Sequence, residues 1–228
     1  MSQLINIFLE PGKVFAELKE KPTFIVPFIL ISVAMSVLFL MYFSKVDSAW
    51  FTDFAISASG REMSAAEISQ MKNMMPSAEK IGYFYAAVMP IGMAIIFLVV
   101  SLYYFIAGKV SGSAVGFKQA ISLATWTSMP LLLGTIVALV GVIMMSPQTA
   151  LDSLMLTHID PLIVQLPLDS RWKTLAKSLD LLSIWCIFLV ALGWKTWGKT
   201  SWIEAITVAV IPSIVIYGAM VLWALVVG

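Results

Sequence analysis

Residues 179–227 read LDLLSIWCIFLVALGW, then KTWGKTS, then WIEAITVAVIPSIVIYGAMVLWALVV. An apolar run from Leu179 to Trp194 meets a short polar connector, and a second apolar run starts at Trp202. Crossing a hydrocarbon core of roughly 30 Å takes about 20 helical residues, so each run is about long enough. The connector is too short to cross anything. The two runs therefore predict an antiparallel helical hairpin whose outer ends lie on one side of a bilayer.

The composition fits that reading. The chain is 60% hydrophobic and only 12% charged, with a mean hydropathy of +0.94, whereas soluble domains are nearer half apolar and a quarter charged. Lys+Arg 14 against Asp+Glu 13 leaves a net charge of +1, and nothing in that balance points to nucleic acid. Cys186 is the single cysteine and lies in an apolar run, so it reads as a packing residue and not as half of a disulfide or metal site.

Working outward, residues 1–23 form an amphipathic segment and residues 24–228 a membrane domain. Leu4, Ile5, Phe8 and Leu9, then Val14, Phe15 and Leu18, cluster at helical spacing among Lys13, Glu17, Lys19 and Glu20. The segment reads as a helix in the membrane interface or packed on the bundle, with Pro11 in an opening turn. Its charges and the length of the following apolar run do not fit a cleaved signal peptide. Spans are predicted at about 24–43, 86–107, 120–145, 179–194 and 203–227. Fold class is thus all-α, a polytopic membrane protein with five transmembrane helices. In the first long loop, Ser64-Ala-Ala-Glu67 has the capping-box pattern of a short helix ending before Pro76. Met63, Met71, Met74 and Met75 read as the apolar face of that helix.

An ungapped shift of 85 residues lays the second hairpin on residues 86–145. Gly108 falls on Gly193, Phe117-Lys-Gln-Ala-Ile-Ser122 on Trp202-Ile-Glu-Ala-Ile-Thr207, Ala124 on Ala209 and Ser128 on Ser213. The order of connector, aromatic, Gln/Glu and Ala-Ile predicts a duplication, with the two hairpins as parallel repeats. Ala120, Ala124, Thr127, Gly134, Ala138 and Gly141 form a small-residue stripe that permits close helix approach. Pro130 and Pro212 are predicted to kink their helices. The two shortest connectors carry Lys109 with Lys118 and Lys195 with Lys199, which places both bends and the N-terminus in the cytoplasm. The C-terminal Val226-Val227-Gly228 then lies outside, with Arg61, Lys72, Arg171 and Lys173 in the outer loops.

Candidate polar positions in the membrane are Asp180, Glu204, Ser128 and Ser213. Asp180 and Glu204 stand in the first turns of their spans, where the helix dipole favours a carboxylate. Ser201-Trp-Ile-Glu204 is a capping box, and Ser178 can cap ahead of Asp180. The competing reading of Asp180 is a functional acid. His158, in His158-Ile-Asp160 with Asp152 and Asp169 in the same loop, lacks metal-site spacing and reads as an exposed loop residue. Trp172, Trp194, Trp197 and Trp202 read as interfacial anchors. No nucleophile elbow, phosphate loop or HExxH occurs, so neither catalytic residues nor a cofactor are assigned.

Phe8-Leu-Glu-Pro11 with Val14-Phe15, the Leu179-Asp-Leu-Leu-Ser-Ile-Trp185 run, Gly193, Ser201-Trp-Ile-Glu-Ala-Ile206 and Pro130 resemble the bacterial branch of the Yip (Ypt/Rab-interacting protein) membrane family. The resemblance implies a five-span helical protein with a cytoplasmic N-terminus, placed in a bacterial inner membrane. Eukaryotic relatives act in membrane traffic and bind small Rab-type GTPases. Their Asp-Leu-x-Gly-Pro element is absent here, where the chain has Leu9-Glu10-Pro11-Gly12, so GTPase binding is not carried over. The expected function is non-enzymatic, the organising of membrane lipid or partner proteins, and the expected partners are membrane lipids, other membrane proteins or a second copy of the chain. The alternative function is a small transporter or lipid-handling protein with a pathway between the hairpins.

Overall fold

The computed structural model describes residues 3–60, 63–113 and 115–227. Arg61 and Gly228, used above for orientation, lie outside the described residues. The chain is all-helical: α1 (Gln3–Leu9), α2 (Pro11–Glu20), α3 (Ile25–Lys45), α4 (Ser48–Ala58), α5 (Ala65–Met74), α6 (Ala78–Ser111), α7 (Phe117–Thr127), α8 (Leu131–Met144), a 3₁₀ turn (Leu151–Leu154), α9 (Ile159–Leu162), α10 (Lys173–Ser178), α11 (Leu182–Gly198) and α12 (Trp202–Val227).

Among the described residues, four helical segments are long and apolar enough to cross a bilayer: Ile25–Lys45, Ala78–Ser111, Phe117–Met144 and Trp202–Val226. Their outer faces are exposed and greasy, as with Ile29 and Val33 on α3, Ile95 and Val99 on α6, and Ile214 and Leu222 on α12. That distribution suits a hydrocarbon solvent. The fifth predicted run, α11, has 17 residues, a length of about 25 Å and the lower limit for a span. It starts at Leu182 because the preceding residues pair with a loop: Ile159 N–H donates to Leu179 C=O at 2.8 Å, and Leu181 N–H to Thr157 C=O at 2.9 Å.

Both hairpin bends sit at one end of the bundle and touch. A Cβ built on Gly198 would lie 2.9 Å from Ser113 Oγ. The N-terminal segment closes this same end. Lys19 Nζ donates to Trp197 C=O at 3.0 Å, Gln119 Nε2 donates to Lys19 C=O at 3.1 Å, and Thr23 C=O accepts from both Ser122 Oγ and Trp126 Nε1 at 2.8 Å. The apolar face of α2 is buried in protein, with Phe15 and Leu18 fully covered. Phe15 meets Trp197 edge-on and also accepts its indole N–H at 2.7 Å. At Gly193 a Cβ would come within 2.6 Å of Leu123 Cδ1 and 3.1 Å of the Phe15 ring, so only glycine lets α11 lie this close to α7 and α2.

Two local expectations need correcting. Trp194 and Trp197 are buried and not interfacial, because α2 and Tyr104 of α6 cover them. Helix α5 has its capping box, with Ser64 N–H donating to Glu67 Oε2 at 2.7 Å, but no residue of it is buried and Met74 is exposed. Its methionines have no packed partner face because α5 touches the body through little beyond the Lys72–Asp53 ion pair at 2.5 Å.

Segment 117–144 is interrupted between α7 and α8. Ser128 Oγ and Thr127 Oγ1 turn back to Ala124 and Leu123 carbonyls at 2.9 and 2.8 Å. Pro130 has no N–H, and Leu131, Leu132 and Leu133 donate three residues back, to Ser128, Met129 and Pro130. Helix α12 runs without interruption through Pro212.

Candidate functional site

The end opposite the bends is built from the long loop 146–177. It is stitched to α3 and the start of α4 by Tyr42 Oη donating to Thr149 C=O at 3.0 Å and Asp47 N–H donating to Pro147 C=O at 2.8 Å. Its centre is Asp160, which is 1% exposed. Asp160 Oδ1 accepts Leu166 N–H at 2.6 Å, and Oδ2 pairs with Lys173 Nζ at 2.6 Å. Lys173 also donates to Leu166 C=O at 2.6 Å, so one buried pair closes the loop on itself. Burial pushes the Asp160 carboxyl up; the bond from Lys173, the Leu166 N–H and the Lys173 and Lys177 charges outweigh it and hold the group below its ordinary value.

Lys173 and Lys177 are one turn apart on α10, and Lys177 pairs with Asp152 of the 3₁₀ turn. Beside them, the antiparallel bridge of His158 with Asp180 brings an imidazole to a carboxylate. His158 Nδ1 bonds Lys177 C=O, and His158 Nε2 stands 3.6 Å from Asp180 Oδ2. Asp180 Oδ1 accepts Leu182 N–H at 2.9 Å.

Asp152, His158, Asp160, Lys177 and Asp180 rim a cavity of about 450 Å³. Its deeper wall is Met35 and Leu38 of α3, Leu131, Gly134 and Thr135 of α8, Ser183 of α11 and Tyr217 of α12. Gly134 admits the loop, since a Cβ there would lie 2.8 Å from Thr157 Oγ1. The cavity thus has an apolar floor and a charged mouth, within the size range of small-molecule sites.

The sequence-predicted positions separate here. Asp180 lines the cavity; Ser128, Glu204 and Ser213 do not. Ser128 is occupied with Ala124 C=O, and Ser213 is half-buried on α12. At Glu204 the Ser201 hydroxyl accepts its N–H at 3.2 Å, while Oε1 is buried without a hydrogen-bond partner among the described residues. Ser178 does not cap Asp180: its hydroxyl donates to Thr174 C=O at 2.7 Å, because Ser178 ends α10 instead of opening α11. His158 is not an exposed loop residue; its side chain is 26% exposed and held against Asp180. The sequence reading met Asp152 and Asp160 only as scattered acids beside His158 and Lys173 only as an outer-loop charge, did not single out Lys177, and did not bring the four together. Their one available signal was the four-residue spacing of the two lysines.

Ser183 Oγ, one helical turn beyond Asp180, donates to Asp180 C=O. Among the described residues no three His, Cys, Asp or Glu side chains converge as metal ligands. The groups gathered at the cavity offer charge and hydrogen bonds to a ligand.

Comparison with curated proteins and with solved structures returned no match. Against protein families, the Yip1 domain matches residues 5–224, from within α1 to within α12 and including the site loop. With that match over nearly its whole length, the chain belongs to the Yip1 domain family of membrane proteins.

Proposed function

We propose that this chain is a non-enzymatic, five-span protein of the bacterial inner membrane that holds a lipid in the cavity beside Asp180. The observation that carries the reading is the cavity itself: Met35, Leu38 and Leu131 offer apolar surface below a mouth of Asp152, His158, Lys177 and Asp180. An amphiphile satisfies both ends at once. The cavity lining stops at Leu131 and does not reach Ser128, which favours holding a lipid over a pathway between the hairpins.

In this reading α11 is the fifth span, and the lysine-bearing bends and the N-terminus face the cytoplasm. The two hairpins are parallel repeats. Support comes from equivalent positions with equivalent environments: Ala120 and Ala205 are both 0% exposed, and Gly108 and Gly193 each leave a Cβ 3.0 Å or less from a facing side chain. Partner membrane proteins or a second copy of the chain would be organised around the bound lipid. Rab-type GTPases are not among the proposed partners.

Native mass spectrometry of the purified full chain tests the proposal. Lipid should remain bound to the natural chain, and Met35→Trp, which fills the floor, should lose most of it while staying folded. Equal lipid retention by the two proteins would refute the cavity as the holding site.

A further inference from the structure

The rim of the cavity contains a gap between two acceptors. His158 Nδ1 bonds the Lys177 carbonyl, and a carbonyl can only accept, so Nδ1 carries the proton. A neutral His158 therefore turns a bare Nε2 lone pair toward Asp180 Oδ2, 3.6 Å away. That separation is beyond a hydrogen bond, and both atoms face it as acceptors. Asp180 Oδ1 is already taken by Leu182 N–H at 2.9 Å. Each of the other rim carboxylates has a lysine: Asp160 has Lys173 and Asp152 has Lys177. Among the described residues Asp180 is the one of the three left without an ammonium, so the rim carries one carboxylate more than the lysines paired to it.

A donor that is also a cation completes this arrangement. Building on the lipid reading above, we infer that the cavity selects a lipid whose head carries a primary ammonium, with N–H groups reaching both His158 Nε2 and Asp180 Oδ2 and the chain lying against Met35, Leu38 and Leu131. A quaternary ammonium has the charge but no N–H to give. An anionic head would meet Asp180 as a like charge. The floor favours a lipid over a free amine, since an unattached headgroup would leave the apolar wall unfilled.

The test uses delipidated full chain and an equimolar mixture of phosphatidylethanolamine, phosphatidylcholine and phosphatidylglycerol with the same acyl chains, read by native mass spectrometry. At pH 8 phosphatidylethanolamine should be retained about tenfold or more over phosphatidylcholine, the scale of a charge-assisted hydrogen bond. Asp180→Asn should abolish that preference while keeping Oδ1 for Leu182 N–H, and its amide nitrogen supplies the missing donor to Nε2, so the fold is preserved. Equal retention of the three lipids, or a preference surviving Asp180→Asn, overturns the amine assignment. It leaves the lipid-holding reading intact if Met35→Trp still empties the cavity. Displacement of all lipid by millimolar free ethanolamine overturns the lipid assignment in favour of a soluble amine.

Discussion

Removing Lys173 is the sharpest test of how the site loop is held. Lys173→Met preserves the apolar stem but strips Asp160, 1% exposed, of its ammonium partner at 2.6 Å. The carboxylate keeps a single strong bond, from Leu166 N–H at 2.6 Å. Breaking a buried pair by deleting one partner costs about 3–5 kcal/mol. The surviving Leu166 bond puts the expected loss near the lower end, about 3 kcal/mol. For a chain of this size that corresponds to a drop in Tm of roughly 6–12 °C. Cys186, the only cysteine, is partly buried in α11, so a thiol-reactive dye reports the exposure of this one site on heating. Adding Asp160→Asn to Lys173→Met should recover much of the loss, because the uncompensated charge is gone. The pH dependence has a definite sign. Asp160 is held below its ordinary value, so its contribution is complete above the unfolded carboxylate range near pH 4 and is lost as the pH falls through the lower folded value. In Lys173→Met burial is opposed by far less, the carboxyl rises, and the deficit against the natural chain should narrow as the medium is acidified. A single mutant as stable as the natural chain, or a double mutant no better than the single, would refute the reasoning.

Other outcomes are equally specific. Gly193→Val should destabilise by about 1–3 kcal/mol, since its Cβ would meet Leu123 and Phe15 at 2.6 and 3.1 Å; faster limited proteolysis of α1–α2 would register the loosened dock. Gly218→Ala, with nothing within 4 Å, should leave Tm unchanged or slightly raised. Trp197→Phe keeps the edge contact with Phe15 but loses the indole N–H to its carbonyl, a cost of about 1 kcal/mol in the same thermal assay. In a Cys186→Ala background, Lys118→Cys and Lys199→Cys should react with an impermeant thiol reagent from the same side of the membrane. Ser153→Cys should react from the other, and labelling of Lys118→Cys and Lys199→Cys from opposite sides would contradict the parallel hairpins.

Local chemistry wrote a good part of this protein into its sequence. Helix α5 begins where Ser64 and Glu67 reciprocate caps, and a long apolar helix fills the interval before Gly112. A bend as short as Lys199–Ser201 can only return a helix to the end it came from, so that hairpin follows from hydropathy and connector length. The family match was legible for the same reason, in motifs that lie on the helix ends and bends.

What the sequence could not decide depends on which surfaces meet. Amphipathic α2 has the same pattern whether its apolar face enters lipid or protein; the space left by Gly193 between α7 and α11 put it in protein. Asp180 stood out as an acid at a helix start, but its partner His158 reaches it through a backbone bridge that no spacing announces. Hydrophobic length and connector charge act within a few residues of chain and are fixed by the sequence alone. The paired rim, the cavity floor and the gap at His158 join segments far apart in the chain, and folding alone brings them together.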